Sequence, residues 1–190
     1  MRDPRLIVVT HPEVVIEPEH PIPDWGLSAE GERRAQAFAR SAEMADVSRI
    51  WCSTERKARE TADILALPRD IPISEMAALG ENDRSATGFL PPGEFEAAAD
   101  AFFAAPDVSF RGWERAIDAQ DRITGALHQI LPDHGTGDLA IVTHGAVGTL
   151  LWCRLMNCPI DRKHDQPGQG HFWTADLRNL EPTGGWRPIA

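Results

Sequence analysis

Short, continuous apolar runs alternate along this chain with segments whose apolar residues recur every three to four positions. Residues 6–10 (LIVVT) and 138–143 (DLAIVT) are β-branched runs that predict strands buried on both faces. Residues 48–53 (SRIWCS) predict another strand, 72–76 a short one, and 172–177 a last one close to the C-terminal tail. Between the strands, residues 28–44 predict a helix capped by Ser28, with Ala35, Phe38 and Ala39 at helical spacing up to about Met44. Helical periodicity returns over 55–66, where Pro68 ends it, and over 94–105, 113–131 and 146–156, with Pro106 and Gly112 separating the middle pair. The polar, proline-rich stretch 12–25 and the breaker-rich stretch 80–93 predict loops.

Strands alternating with helices predict an α/β fold, a three-layer α/β/α sandwich around a mostly parallel open sheet. At 190 residues the chain is expected to form a single domain over 1–190, with an insertion or cap over about 77–112. Ligands of such sheets sit at the carboxyl ends of the strands. Three of the predicted strands end at residues with usable chemistry: His11, the Cys52-Ser53-Thr54 turn leading to Lys57, and His144.

Charge narrows the partners. The formal net charge of -10 argues against nucleic acid and anionic membrane surfaces, which require the opposite field, so any anionic ligand depends on a local cluster of basic groups. No apolar stretch approaches the ~20 residues of a membrane helix, and MRDPRLIVV lacks the features of a signal peptide; the expectation is a soluble, cytoplasmic protein. Cys52, Cys153 and Cys158 match no zinc spacing and are expected to be reduced, mostly buried thiols.

The order of the motifs carries a resemblance. Thr10-His11-Pro12 closes the first strand; Leu27, Ser28 and Gly31 precede Gln36-Ala37; Cys52-Ser53 precede Ala58, Thr61 and Ala62; and Val142-Thr143-His144-Gly145 returns late. From about Leu6 to Leu177 this resembles the histidine phosphatase superfamily, the phosphoglycerate-mutase-like fold. In that family a strand ends in Arg-His-Gly, a Leu-Ser-x-x-Gly helix and a Ser-x-x-x-Arg-Ala-x-x-Thr-Ala helix follow, and a late strand runs into His-Gly. The resemblance implies that His11 becomes phosphorylated, that His144 donates to a phosphate oxygen, and that Glu81 on the insertion is the general acid. It implies no cofactor and no metal, and a small phosphorylated molecule as partner. Thr10 and Lys57 stand where the family places two phosphate-binding arginines, and Gly145 joins the phosphate-binding set.

The residues themselves explain why such an arrangement works. An imidazole at a strand end attacks a phosphoryl group when fixed donors hold its oxygens and the leaving oxygen receives a proton. Pro12 restricts His11 to extended angles and keeps it at the strand terminus, but offers no N–H to a phosphate. Thr10 lacks the family's charge, and Lys57 is a point charge in place of a planar fork. Each charge-assisted hydrogen bond lost is worth about 1.5–3 kcal/mol, so compensation is expected. Arg84, with Asn82 and Ser85 as neutral donors, is the expected source; an exposed turn is the alternative reading of that segment. Arg56 and Arg59 flank Lys57 and replace it as phosphate ligand if the register differs by one. His164 and His171 are candidates for the pocket border with a solvated loop as the alternative, while His20, His128 and His134 have no motif around them. Trp25, Phe89 and Trp113 are large enough to wall a pocket. Glu17, where many family members carry a substrate-contacting Asn, disfavours a second acidic group on the substrate.

Four activities remain open on the sequence: a phosphomonoesterase working through phosphohistidine, a phosphoglycerate-mutase-type phosphotransferase, a non-catalytic phospholigand binder, and a metal-dependent hydrolase built on His11 and His144. The last lacks any His pair at helical ligand spacing. Oligomeric state and substrate identity are not legible.

Overall fold

A computed structural model describes residues 3–190. Six strands, β1 (Arg5–Thr10), β2 (Val47–Cys52), β3 (Ile73–Glu75), β4 (Asp138–Thr143), β5 (His171–Asp176) and β6 (Arg187–Pro188), form one sheet in the order β3-β2-β4-β1-β5-β6. The first four are mutually parallel, whereas along one edge β5 runs antiparallel to β1 and β6 antiparallel to β5.

Period-two alternation in β1 and β4 explains why two cores form. Leu6 and Val8, with Leu139 and Ile141, face helices α3 (Pro92–Ala104), α4 (Ala116–Ile130) and α5 (Gly145–Leu155). Ile7 and Val9, with Ala140 and Val142, face α1 (Ala29–Ala39) and α2 (Arg56–Ala66). Helices therefore cover both faces, which is what strands apolar on both sides require.

The expected helix over 28–44 is shorter in the structure. Ser28 caps it, accepting from the Gly31 N–H, but α1 ends at Ala39. Ser41 is extended, and a 3-10 turn over Ala42–Met44 brings Met44 back into the core before β2 begins. The 113–131 helix begins only at Ala116, leaving Trp113 in the preceding turn, and the C-terminal tail contributes β6. Pro92 opens α3, where its missing N–H costs no helical bond. Cys52 and Cys153 are buried free thiols and Cys158 is partly exposed. Among the described residues no helix is long and apolar enough to cross a membrane.

Candidate active site

Strand register brings the two histidines together. In the β1–β4 ladder Thr10 pairs with Thr143, so the next residue on each parallel strand is a histidine at the same height. The His11 N–H donates to the Thr143 carbonyl at 3.2 Å, and the two ring centroids lie 5.3 Å apart. One strand over, Cys52 pairs with Val142, and Ser53 follows at the same sheet end with its Oγ 2.7 Å from His144 Nε2.

The loop after His11 is fixed by close packing on α1. The Ser28 N–H donates to the Glu13 carbonyl, and Val14 bridges to Leu27. Gly31 is required there, because a Cβ would sit 2.2 Å from the Glu13 carbonyl oxygen. His11 Nδ1 donates to the Pro12 carbonyl at 2.9 Å, which leaves the Nε2 lone pair as the reactive position. Burial first, and the Lys57 charge second, lower the His11 pKa to about 4, so this imidazole is neutral at pH 7.

Lys57 is buried and lines a cavity of about 460 Å³ together with His11, Glu81, Asn82, Arg84 and Gly145. Of the three neighbouring basic residues it is Lys57 that faces the cavity: Arg56 is exposed and pairs with Glu60, and Arg59 is exposed near Glu75. The Lys57 ammonium donates to the Ile22 carbonyl at 2.9 Å and to the Glu55 carboxylate at 2.5 Å. Glu55 was not expected from the sequence. Its carboxylate also accepts from the Glu81 N–H at 2.9 Å and lies 3.3 Å from His144 Nε2. Burial alone raises the pKa of this carboxyl, but His144, the Lys57 charge and the accompanying hydrogen bonds outweigh burial and lower it to about 2.

Glu81 sits against the first turn of α5, its carboxyl 3.3–3.4 Å from the N–H groups of Val147 and Ala146. Burial nevertheless raises its pKa, and Glu55 adds to this, while Arg84 opposes it. A carboxyl held upward in this way binds a proton more readily than an ordinary one. Asn82 is buried at the cavity wall with its side-chain N–H₂ unbonded by protein. The Arg84 guanidinium lines the cavity 4.9 Å from the Phe95 ring centroid and 6.0 Å from that of Trp113.

Thr10 is corrected. It is fully buried and its hydroxyl bonds to Gln166 Oε1 at 2.6 Å while accepting from the His171 N–H, so it positions Gln166 at the cavity wall and does not face a ligand. Glu17 is likewise turned away: it lies outside the cavity lining, 3.6 Å from His20 Nδ1. His164 packs on Trp152 and His171 Nδ1 bonds to Gln169; neither lines the cavity. Ser85 is exposed outside it as well. Trp25 and Trp113 do wall the cavity, and Phe89 supports Trp25 from behind at 5.8 Å. Across the mouth, Arg162 bonds Glu96 and Asp100 of α3, tying the loop that carries Gln166 to that helix. Among the described residues no three His, Cys, Asp or Glu side chains converge as a metal site.

Known proteins match this geometry. The sequence fits the profile of the histidine phosphatase superfamily (branch 1) over residues 6–177. Among solved structures, YhfR of Bacillus stearothermophilus is 26% identical at a TM-score of 0.76, covering 97% of this chain and 94% of its own. A mycobacterial glucosyl-3-phosphoglycerate phosphatase in complex with inorganic phosphate is 18% identical at a TM-score of 0.78, covering 97% and 94%. The alpha-ribazole phosphatase from Shigella flexneri is 18% identical at a TM-score of 0.76, covering 98% and 97%. No curated protein matches significantly. With two histidines at adjacent strand ends and a family profile spanning nearly its whole length, the chain belongs to the histidine phosphatase superfamily, branch 1.

Proposed function

We propose that the protein hydrolyses a small phosphomonoester through a phosphohistidine at His11. In the first step His11 Nε2 attacks phosphorus, the bond to the leaving oxygen breaks, and Glu81 gives that oxygen its proton. In the second, water attacks the phosphohistidine, the P–N bond breaks, and Glu81 takes the water's proton. Lys57, Arg84, Asn82 and the Gly145 turn line the cavity around the transferred phosphoryl group, with His144 buried directly behind them, its ring centroid 5.3 Å from that of His11, and together they stabilise its charge. The observation that carries this reading is the His11 Nδ1 bond to the Pro12 carbonyl, which aims reactivity to Nε2 beside a cavity that also holds Glu81.

A second reading, a phospholigand binder without turnover, is favoured by one contact: the Lys57 charge is already shared with Glu55. One experiment separates them. A panel of phosphomonoesters is assayed for released phosphate and for an acid-labile protein adduct, with wild type and His11→Ala side by side. Turnover and an adduct that both vanish in His11→Ala support the enzyme; thermal protection by phosphate without either supports the binder. Turnover sustained only with a phosphorylated primer identifies a mutase.

A further inference from the structure

The surroundings of His144 are unequal on the two sides of its ring. Nε2 faces Ser53 Oγ at 2.7 Å and Glu55 Oε1 at 3.3 Å, whereas Nδ1 is buried without a protein partner. Ser53 Oγ already accepts from the Glu55 backbone N–H at 3.3 Å. The Glu55 carboxylate is held in place by the Lys57 ammonium and the Glu81 N–H, so it cannot swing away from the ring.

An ionised carboxylate only accepts, and a lone pair on Nε2 facing it would be repelled; the proton of a neutral His144 therefore belongs on Nε2. Nδ1 is then a lone pair, to which the unprotonated oxygens of a phosphomonoester dianion have nothing to donate. Such an oxygen hydrogen-bonds His144 only after the ring gains a second proton. The charged and titratable groups around the ring are Glu55, Lys57, His11 and Arg84, with Ser53 as a neutral partner. Burial above all, and then His11, Lys57 and Arg84, oppose protonation and Glu55 alone favours it, so the free ring stays neutral until an anion adds its own charge.

We propose that Glu55 is a positioning residue that holds His144 as the Nε2–H tautomer and serves as counter-charge to the imidazolium formed when a phosphate-sized oxyanion binds, so that binding takes up a proton at Nδ1. The absent guanidinium at Thr10 is thereby replaced by a charge that arrives with the ligand. This rests on the cavity being the phosphate site, as argued above.

Two measurements on the full chain test it. The first is the ¹⁵N spectrum of the histidine rings in the free protein at neutral pH, with His144 assigned by its loss in His144→Asn. The proposal requires a protonated Nε2 and an unprotonated Nδ1; the reverse pattern, in which Ser53 donates to Nε2, overturns it. The second is calorimetric titration with inorganic sulfate, a phosphate-sized dianion that carries no proton at neutral pH, in buffers of different ionisation enthalpy. Wild type should take up about one proton per sulfate bound and Glu55→Gln close to none. Ser53→Ala, which keeps the carboxylate, should retain the uptake and stands in if Glu55→Gln fails to fold. Equal uptake in wild type and Glu55→Gln, or none in wild type, overturns the proposal. Absence of any sulfate binding instead removes the phosphate-site reading, and the tautomer then decides the role of Glu55 by itself.

Discussion

The guanidinium of Arg84 lies 4.9 Å from the centroid of the Phe95 ring, so a residue of the loop before α3 is held over the cavity by a residue of α3 itself. Arg84 has no ion-pair partner among the described residues, which leaves its charge available to a ligand. Arg84→Ala should therefore lower kcat/KM by about 10- to 100-fold, as expected for one charge-assisted hydrogen bond. Arg56→Ala, which removes an exposed charge outside the cavity, should leave kcat/KM unchanged. Steady-state kinetics on a phosphomonoester checks both; an unchanged Arg84→Ala would mean that the loop does not supply the missing charge.

Packing around the loop after His11 makes its own prediction. A methyl group at Gly31 meets the Glu13 carbonyl oxygen at 2.2 Å, and that oxygen belongs to backbone, so the chain must move. Gly31→Ala should destabilise by about 1–3 kcal/mol, the usual cost of overpacking. Because Glu13 follows His11 and Pro12 directly, adduct formation at His11 should slow in the same variant. Urea denaturation and a phosphorylation time course measure the two effects.

Parts of the fold and site were legible for definite reasons. Residues 6–10 and 138–143 read as strands because both of their faces are buried, leaving no polar alternation to confuse the signal. His11 and His144 were recognisable because each closes such a strand, and Lys57 because it stands, directly before Ala58, where the resembled family places an arginine. Glu55 was missed: it precedes α2, and only the tertiary meeting of β2, α2 and β4 puts it beside His144. Its one local signal is its position two residues before Lys57. Gln166 lies in a loop with no pattern, and its partner Thr10 is distant by 156 residues. The expectation for Thr10 failed because a strand residue at 0% exposure spends its hydroxyl on its neighbours.

The Lys57–Glu55 pair predicts a stability effect that depends on both partners. The Lys57 side chain is 3% exposed and that of Glu55 13% exposed, so removing one strands a buried charge. Lys57→Met should cost about 3–5 kcal/mol, and adding Glu55→Gln should restore a large part of it. Additive losses in a denaturant double-mutant cycle would show that the two groups do not depend on each other.

Acid pH should weaken the fold and the chemistry through the same imidazole. In the folded state His11 has a pKa of about 4 against an ordinary 6.5, so below 6.5 the unfolded chain binds a proton that the folded chain refuses. The sign follows: its contribution is complete above pH 6.5 and is lost as pH falls toward about 4, by a total of about 3 kcal/mol. His144 is also lowered, chiefly by burial, and acts in the same direction. Glu55, lowered to about 2, contributes above 4.5 and is lost only at lower pH, so the loss that begins below pH 6.5 belongs to the histidines. Urea midpoints taken between pH 7 and pH 4.5 should fall in wild type and fall less steeply in His11→Gln. In the reaction, His11 must be unprotonated to attack, so kcat/KM should hold through the usual histidine range and drop only near pH 4. On the alkaline side Glu81 must keep its proton, and because burial raises its pKa, kcat should decline at a pH above the usual carboxylate range. An acid limb centred at pH 6.5 would mean that His11 is solvated as in an unfolded chain and is not the buried nucleophile.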